Sequence, residues 1–393
     1  MESDAPLASA VPAASPKDGR GERPSRVLVV IDHAAQHFSP AFRALSRNPA
    51  VNLLVVYGRT PGGEHFDPGF GRTVAWDIDL LGGYDWTTGD PIAEIGRFSP
   101  DVIVVFGWSR PVARRILLAA VRSKSIADRV FVYGDTTWQG NSNPKLRPLR
   151  SVAPRALFAR IRGAVSTGTF NRDFYVTHGM RPSSIWEGVC PADIDHYRAP
   201  EGPPRPESRF LYAGKFVQRK GVDVLLRACL ALGEECDWSL TLAGDGPLRD
   251  ELRELVAGAQ VEDRIDFRGF VNQSELPSLM SRHDFLVVPS TRDLRVLVVL
   301  EGMAAGLIPI VSDATAIWGP NDVVCHGKTG FVFPSGDSTA LATLMSVHAG
   351  EDLSEIRSAC REVAERHRPE VLASRVAELA KAVRSRTFPL PGA

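Results

Sequence analysis

The chain is predicted to fold as an α/β protein with two doubly wound parallel sheets. Three observations carry that expectation. Apolar runs of strand length alternate with helical stretches in both halves, as in parallel strands joined by crossover helices. The 393 residues suffice for two domains with separate cores. Residues 198–208 (RAPEGPPRPES) hold four prolines and read as the linker between those domains.

Residues 1–24, rich in Ala, Pro and Ser and without an apolar core of signal-peptide length, are expected to form a disordered leader. The amino-terminal domain is placed at 25–197. Strands are predicted at 26–31, 51–57, 101–106 and 130–134, with helices at 41–46 and 112–123. Ligand-facing loops should follow strand ends. His33 and His37 in DHAAQHFS (32–39), Trp108 after Gly107, and Asp135 after Gly134 are the candidate acceptor contacts. The same residues also read as ordinary loop histidines and core tryptophan.

Composition excludes several classes. Lys plus Arg and Asp plus Glu number 46 each, which argues against a nucleic-acid partner. Five scattered cysteines without a CxxC pair fit a reducing cytoplasm and neither a disulfide framework nor a zinc site. No stretch approaches the roughly 20 apolar residues of a membrane span. Residues 145–162 carry Lys145, Arg147, Arg150, Arg155, Arg160 and Arg162 with no acid, interleaved with apolar side chains. That segment reads either as a peripheral docking face for anionic lipid, on the inner side of a membrane, or as a solvated helix face.

In the carboxyl-terminal half, a strand at 210–213 ends at Gly214, and the following loop, 215–221, gathers Lys215, Arg219 and Lys220. Several cations at a strand end are what a leaving diphosphate needs. A second strand, 239–243, runs into Gly244-Asp245-Gly246-Pro247, where glycine lets a ligand or neighbouring backbone come close. A strand at 265–269 leads past Val271 to a helix with Ser274 as its expected cap. A further strand closes at Pro289, a polar loop carries Asp293, and 296–305 is a near-continuously apolar helix broken only by Glu301. Gly306 stands where that helix needs a left-handed residue. A carboxylate in so apolar a helix is costly unless it is paired or hydrogen-bonded. It reads as a structural acid or as an acceptor for ligand hydroxyls.

Taken together, FLYAGKFVQRKGVDVLL (210–226), LTLAGDGPL (240–248) and PSTRDLRVLVVLEGMAAGLIPIVSD (289–313) resemble the carboxyl-terminal domain of the family 4 glycosyltransferases. The resemblance covers about 209–334 well and the amino-terminal half more weakly. It implies the GT-B fold, two Rossmann-like domains facing across a cleft, and sugar transfer with retention from a nucleotide diphosphate sugar (UDP or GDP), without a divalent metal. The donor domain would span 209–370, with the last helix, in 371–393, packing back on the acceptor domain. By position in the family's motifs, Lys215 and Lys220 hold the diphosphate beside Arg219, Asp293 touches the sugar and Glu301 binds the ribose. Gly214, Gly244, Asp245 and Gly246 lie near the nucleotide, Val271 meets the base through its backbone, and Leu297 and Val298 begin the helix that faces the phosphates.

One departure stands out. The family's Glu and Pro-Phe-Gly-like triplet are here Asp293-Leu294-Arg295-Val296, a shorter acid with no glycine, which narrows the expected sugar pocket. A sugar-nucleotide epimerase or phosphorylase of the same fold, and a non-catalytic sugar-nucleotide-binding protein, are the alternatives. The sequence leaves the acceptor open among polysaccharide, lipid-linked and small-molecule hydroxyls, and assigns no catalytic group from the amino-terminal half.

Overall fold

The computed structural model describes residues 23–62, 64–138, 147–199, 208–232, 237–294, 296–349, 351–385 and 387. Most of the expected leader, the prolines of the linker, Lys145, Arg295 and the final 388–393 lie outside them.

The first sheet is built from β1 (Ser25–Ile31), β2 (Val51–Tyr57), β5 (Trp86–Thr87), β6 (Val102–Phe106), β7 (Val130–Tyr133), β8 (Gly163–Ser166) and β9 (Ile185–Glu187). Between β2 and β5 the chain makes an antiparallel hairpin, β3 (His65–Asp67) and β4 (Arg72–Val74). Helices α1 (Ser39–Ser46), α2 (Pro91–Phe98), α3 (Pro111–Arg122), α4 (Lys124–Ala127), α5 (Arg147–Phe158) and α6 (Thr169–Thr177) make the crossovers. Strand order is β5-β2-β1-β6-β7-β8-β9, all parallel. Apart from Arg26, every residue of β1 is buried. A strand covered on both faces by helices must be apolar at successive positions, hence the continuous run VLVVI.

A short helix, α7 (Ile194–Tyr197), leads out of this unit. The second sheet holds β10 (Ser208–Ala213), β11 (Trp238–Ala243), β12 (Ile265–Gly269), β13 (Phe285–Val288), β14 (Ile308–Ser312) and β15 (Phe331–Phe333), in the order β12-β11-β10-β13-β14-β15. It is parallel too. Its helices are α8 (Val222–Leu232), α9 (Arg249–Val256), α10 (Leu276–Met280), α11 (Leu297–Ala304), α12 (Ser338–Val347) and α13 (Ser354–Glu365). Each sheet carries one apolar cluster on each face.

The final helix, α14 (Pro369–Arg384), returns to the first unit and inserts Leu372, Val376 and Leu379 against α1 and β1. Leu379 is fully buried there, worth about 2 kcal/mol in transfer terms. Residues of the crossing segment, Ala192, Ile194 and Tyr197, pack instead into the second domain's cluster. The two units are thus stitched in both directions.

Strand order reverses beside β1 in one sheet and beside β10 in the other. Ligands of open parallel sheets gather outside the carboxyl ends of the strands at such points. The loops that follow Ile31, Ala213 and Val288 therefore position the site. Gly306 takes φ +89° where α11 ends, as its place in the sequence required. Ser274 does not cap α10; Glu275 precedes that helix, and the Ser274 hydroxyl bonds instead to Asp77 of the other domain. Among the described residues no helix is long and apolar enough to cross a membrane.

Candidate functional site

The ends of β10 and β11 come together tightly. A Cβ on Gly244 would lie 1.9 Å from the Gly214 carbonyl oxygen, so no side chain fits there. Gly246 sits at φ +156°, where a Cβ would meet the carbonyl oxygens of Phe216 and Gly69 at 2.6 and 2.8 Å. Gly69 belongs to the β3–β4 hairpin, so that approach is between domains. Asp245 ties the turn down: its carbonyl accepts from the Phe216 amide at 2.8 Å, and its carboxylate takes the Gly246 amide at 2.9 Å and Arg249 at 3.1 Å.

The three loop cations are all engaged. Lys220 pairs with Asp293, and Arg219 Nη1 lies 3.5 Å from the same carboxylate. Asp293 also takes the Leu294 amide at 3.1 Å and the Ser290 hydroxyl at 3.3 Å. The acid and the two cations thus form one cluster within the carboxyl-terminal domain. Lys215 goes elsewhere. Its Nζ lies 2.8 and 2.7 Å from the two carboxylate oxygens of Asp67, on the hairpin of the opposite domain. Burial alone would push the Asp67 carboxyl up; the Lys215 ammonium and the Gly69 and Phe70 amides outweigh it and hold the group below its ordinary range.

Glu301 lies on α11 behind this loop, buried, with 7% of its surface exposed. Desolvation pushes its carboxyl up to about 7; a Tyr197 hydroxyl alongside pulls the other way and Asp193 adds repulsion. The Tyr197 hydroxyl lies 2.5 Å from Gln273 Oε1 as well, so its single proton serves either the amide or the carboxylate. Glu301 lines two adjoining cavities. One, of about 190 Å³, is walled by Gly214, Gly244, Phe270, Val271, Leu297 and Val298, with Phe70 and Trp76 from the other domain. The second, of about 240 Å³, is lined by His37, Arg43, Asp79, Asp193, His196 and Tyr197. Gln36 and Gln273 border both. Lys215 and Lys220 line neither.

The donor-side candidates Gly214, Gly244, Val271, Leu297, Val298 and Glu301 therefore share one wall. The acceptor-side candidates disperse. His37 faces the second cavity, half-buried, and desolvation with His33 nearby holds its imidazole below the ordinary range. His33 is exposed, its Nδ1 3.6 Å from Asp32. Trp108 donates from Nε1 to Thr136 Oγ1 at 3.0 Å and packs on its own domain's core. Asp135 is exposed after β7. In the basic segment, Phe158 and Ile161 are buried in the core, which leaves Val152, Arg155 and Arg160 facing outward.

No local pattern in the sequence marks Gln36, Phe70, Trp76 and Gln273, which line the cavity, or Asp67, which holds Lys215 beside it. Phe70 meets Phe270 edge-to-face at 5.1 Å, and Arg72 lies 4.9 Å from the same Phe270 ring. Asn272 Nδ2 donates to the Ala75 carbonyl at 2.9 Å. These partners are about two hundred residues apart in the chain, beyond the reach of any local pattern. Among the described residues no group of three His, Cys, Asp or Glu side chains gathers as a metal ion would require.

Two doubly wound domains facing across a cleft, with glycine turns and cations at the switch point of the second sheet, define the GT-B fold. Residues 193–366 match the family described as glycosyl transferases group 1. An uncharacterized glycosyltransferase of Methanocaldococcus jannaschii is 31% identical over 167 residues, 40% of this chain and 42% of that protein. The match thus spans less than half the length of that relative. Sucrose-phosphate synthase from Thermosynechococcus elongatus superposes with a TM-score of 0.65 at 16% identity, covering 92% of this chain and all of the other. Anabaena HepE, solved with UDP and glucose, superposes at 0.63 and 15% identity, covering 91% and 100%. At those identities the likeness speaks for the fold alone.

Proposed function

We propose that the chain is a retaining glycosyltransferase of family 4 that moves a hexosyl unit from a nucleotide diphosphate sugar, UDP-linked in preference to GDP-linked, to a hydroxyl acceptor held by the amino-terminal domain. The observation that carries this reading is the shared wall. One cavity joins a buried carboxylate, Glu301, to the glycine turns at Gly214 and Gly244 and to the start of α11, with three cations on the adjoining loop. A nucleoside diphosphate asks for that combination: an acceptor for ribose hydroxyls, room for close backbone approach, and positive charge for the leaving group.

In this account Glu301 takes the ribose hydroxyls and Val271 meets the base through its backbone. Lys215, Arg219 and Lys220, with the first amides of α11 at Leu297 and Val298, carry the charge of the departing diphosphate. On this reading the loop cations take the charge that a divalent metal would otherwise carry. Asp293, held by Lys220 and Arg219, contacts the donor sugar in this account. Closure of the cleft excludes water and brings the acceptor hydroxyl, near His37 and Gln36, to the anomeric carbon. The relatives' names favour transfer as the reaction class, and the UDP complex of the Anabaena neighbour favours a uridine donor. The outward Val152, Arg155 and Arg160 give a peripheral contact with anionic lipid a surface to use, which vesicle co-sedimentation at low salt tests.

Calorimetry with UDP- and GDP-sugars, followed by mass spectrometry of products with and without acceptors, tests the reading. Transfer to an added hydroxyl supports it. Epimerised donor without transfer, phosphorolysis, or tight binding with no turnover each replaces it by a different function.

A further inference from the structure

The Lys215 ammonium is a diphosphate ligand in the reading above, yet a carboxylate already sits on it. Asp67 presents both oxygens to Nζ at 2.8 and 2.7 Å, and the pair is sheltered, with 30% of the lysine and 17% of the aspartate side chain exposed. The contact is held in place from several sides. The Gly69 and Phe70 amides donate to Asp67 Oδ1 at 2.8 and 3.3 Å. Lys215 Nζ lies 4.9 Å from the Phe70 ring, and Phe70 packs on Phe270. Beyond the hairpin, Asn272 holds the Ala75 carbonyl and Ser274 holds Asp77.

We infer that Asp67 is a built-in occupant of the diphosphate subsite, an internal anion that holds Lys215 until a nucleoside diphosphate displaces it, and that the β3–β4 hairpin lifts and resettles with each donor. The inference rests on the proposed donor site. A phosphate brought to this ammonium meets the Asp67 charge at close range, and that repulsion opposes donor binding unless the hairpin withdraws. The nucleoside end of the donor meets Val271 and Glu301 and makes no such demand. Asp67 therefore weakens affinity for the diphosphate and leaves affinity for the nucleoside alone.

Asp67→Asn is the clean test, because an amide oxygen still accepts from Gly69 and Phe70 while the charge is gone. Calorimetry of wild type and D67N with UDP, uridine and inorganic pyrophosphate should give D67N about fivefold tighter UDP and pyrophosphate binding with uridine unchanged. In a K215M background the D67N effect should vanish. Equal UDP and pyrophosphate affinity in wild type and D67N, or weaker binding by D67N, overturns the inference while leaving the donor site standing. Failure of wild type and D67N alike to bind UDP, GDP or pyrophosphate removes the donor site and this inference together. Near-identical circular dichroism of the two proteins checks that the turn survives.

Discussion

Glu301→Gln should stabilise the protein at high pH and disable it. The buried carboxyl of Glu301 rises from the ordinary 4.5 to about 7. The folded chain therefore keeps a proton that the unfolded chain releases above pH 4.5. By linkage, stability declines as pH climbs from about 4.5 to about 7 and is flat beyond, a loss of about 3 kcal/mol. Glutamine imitates the protonated acid and does not titrate. E301Q and wild type should have similar urea midpoints at pH 5, and at pH 8 the variant should be more stable by up to about 3 kcal/mol. Nucleotide binding moves oppositely, since ribose hydroxyls donate to the ionised form. Wild-type affinity should rise between pH 6 and 8, and E301Q should lose that rise along with about 10- to 100-fold in affinity. A stability difference that is the same at pH 5 and pH 8 refutes the buried charge. A pH-independent wild-type affinity refutes the role of that charge in binding.

Three other outcomes are open to measurement. K215A/K220A should weaken UDP by about 100-fold, from two lost charge-assisted contacts, and barely change uridine, which titration calorimetry reads directly. Gly244→Ala must displace the Gly214 carbonyl, 1.9 Å from the new methyl, and should cost about 2–3 kcal/mol with a fall in Tm and in nucleotide affinity together. Leu379→Ala empties a fully buried position where α14 meets α1 and β1, and should cost about 2–5 kcal/mol in denaturant unfolding while nucleotide affinity in the native protein holds.

Much of the carboxyl-terminal half was legible because its strands are buried on both faces. A run such as Phe285–Val288 is fully buried, so the whole strand announces itself as an apolar block between polar loops. Glu301 was legible for the converse reason, as the lone acid in an apolar helix. Residues 58–87 were not. Their strands are two or three residues long, too short to show an alternating period, and the hairpin's hold on the opposite domain depends on residues such as Asp67 and Lys215, 148 positions apart. Trp108 was ambiguous for a related reason: an indole at a strand end suits a sugar or a core equally, and only its bond to Thr136 and its packing on the first domain distinguish them.

The two lysines of one short loop end on acids of different origin, and this difference organises the site. Lys220 meets Asp293 of its own domain, so that pair persists whatever the cleft does. Lys215 meets Asp67 of the facing domain, so that pair exists only when hairpin and loop are together. A ligand anion arriving at the loop therefore finds one cation permanently shared and one whose partner can withdraw. Charge, aromatic contact and cleft geometry are coupled through a single hairpin that also walls the pocket with Phe70. If an anion displaces Asp67 as inferred, its binding and the release of the hairpin are one equilibrium, since the differential contact that favours the open hairpin is the phosphate's own claim on Lys215.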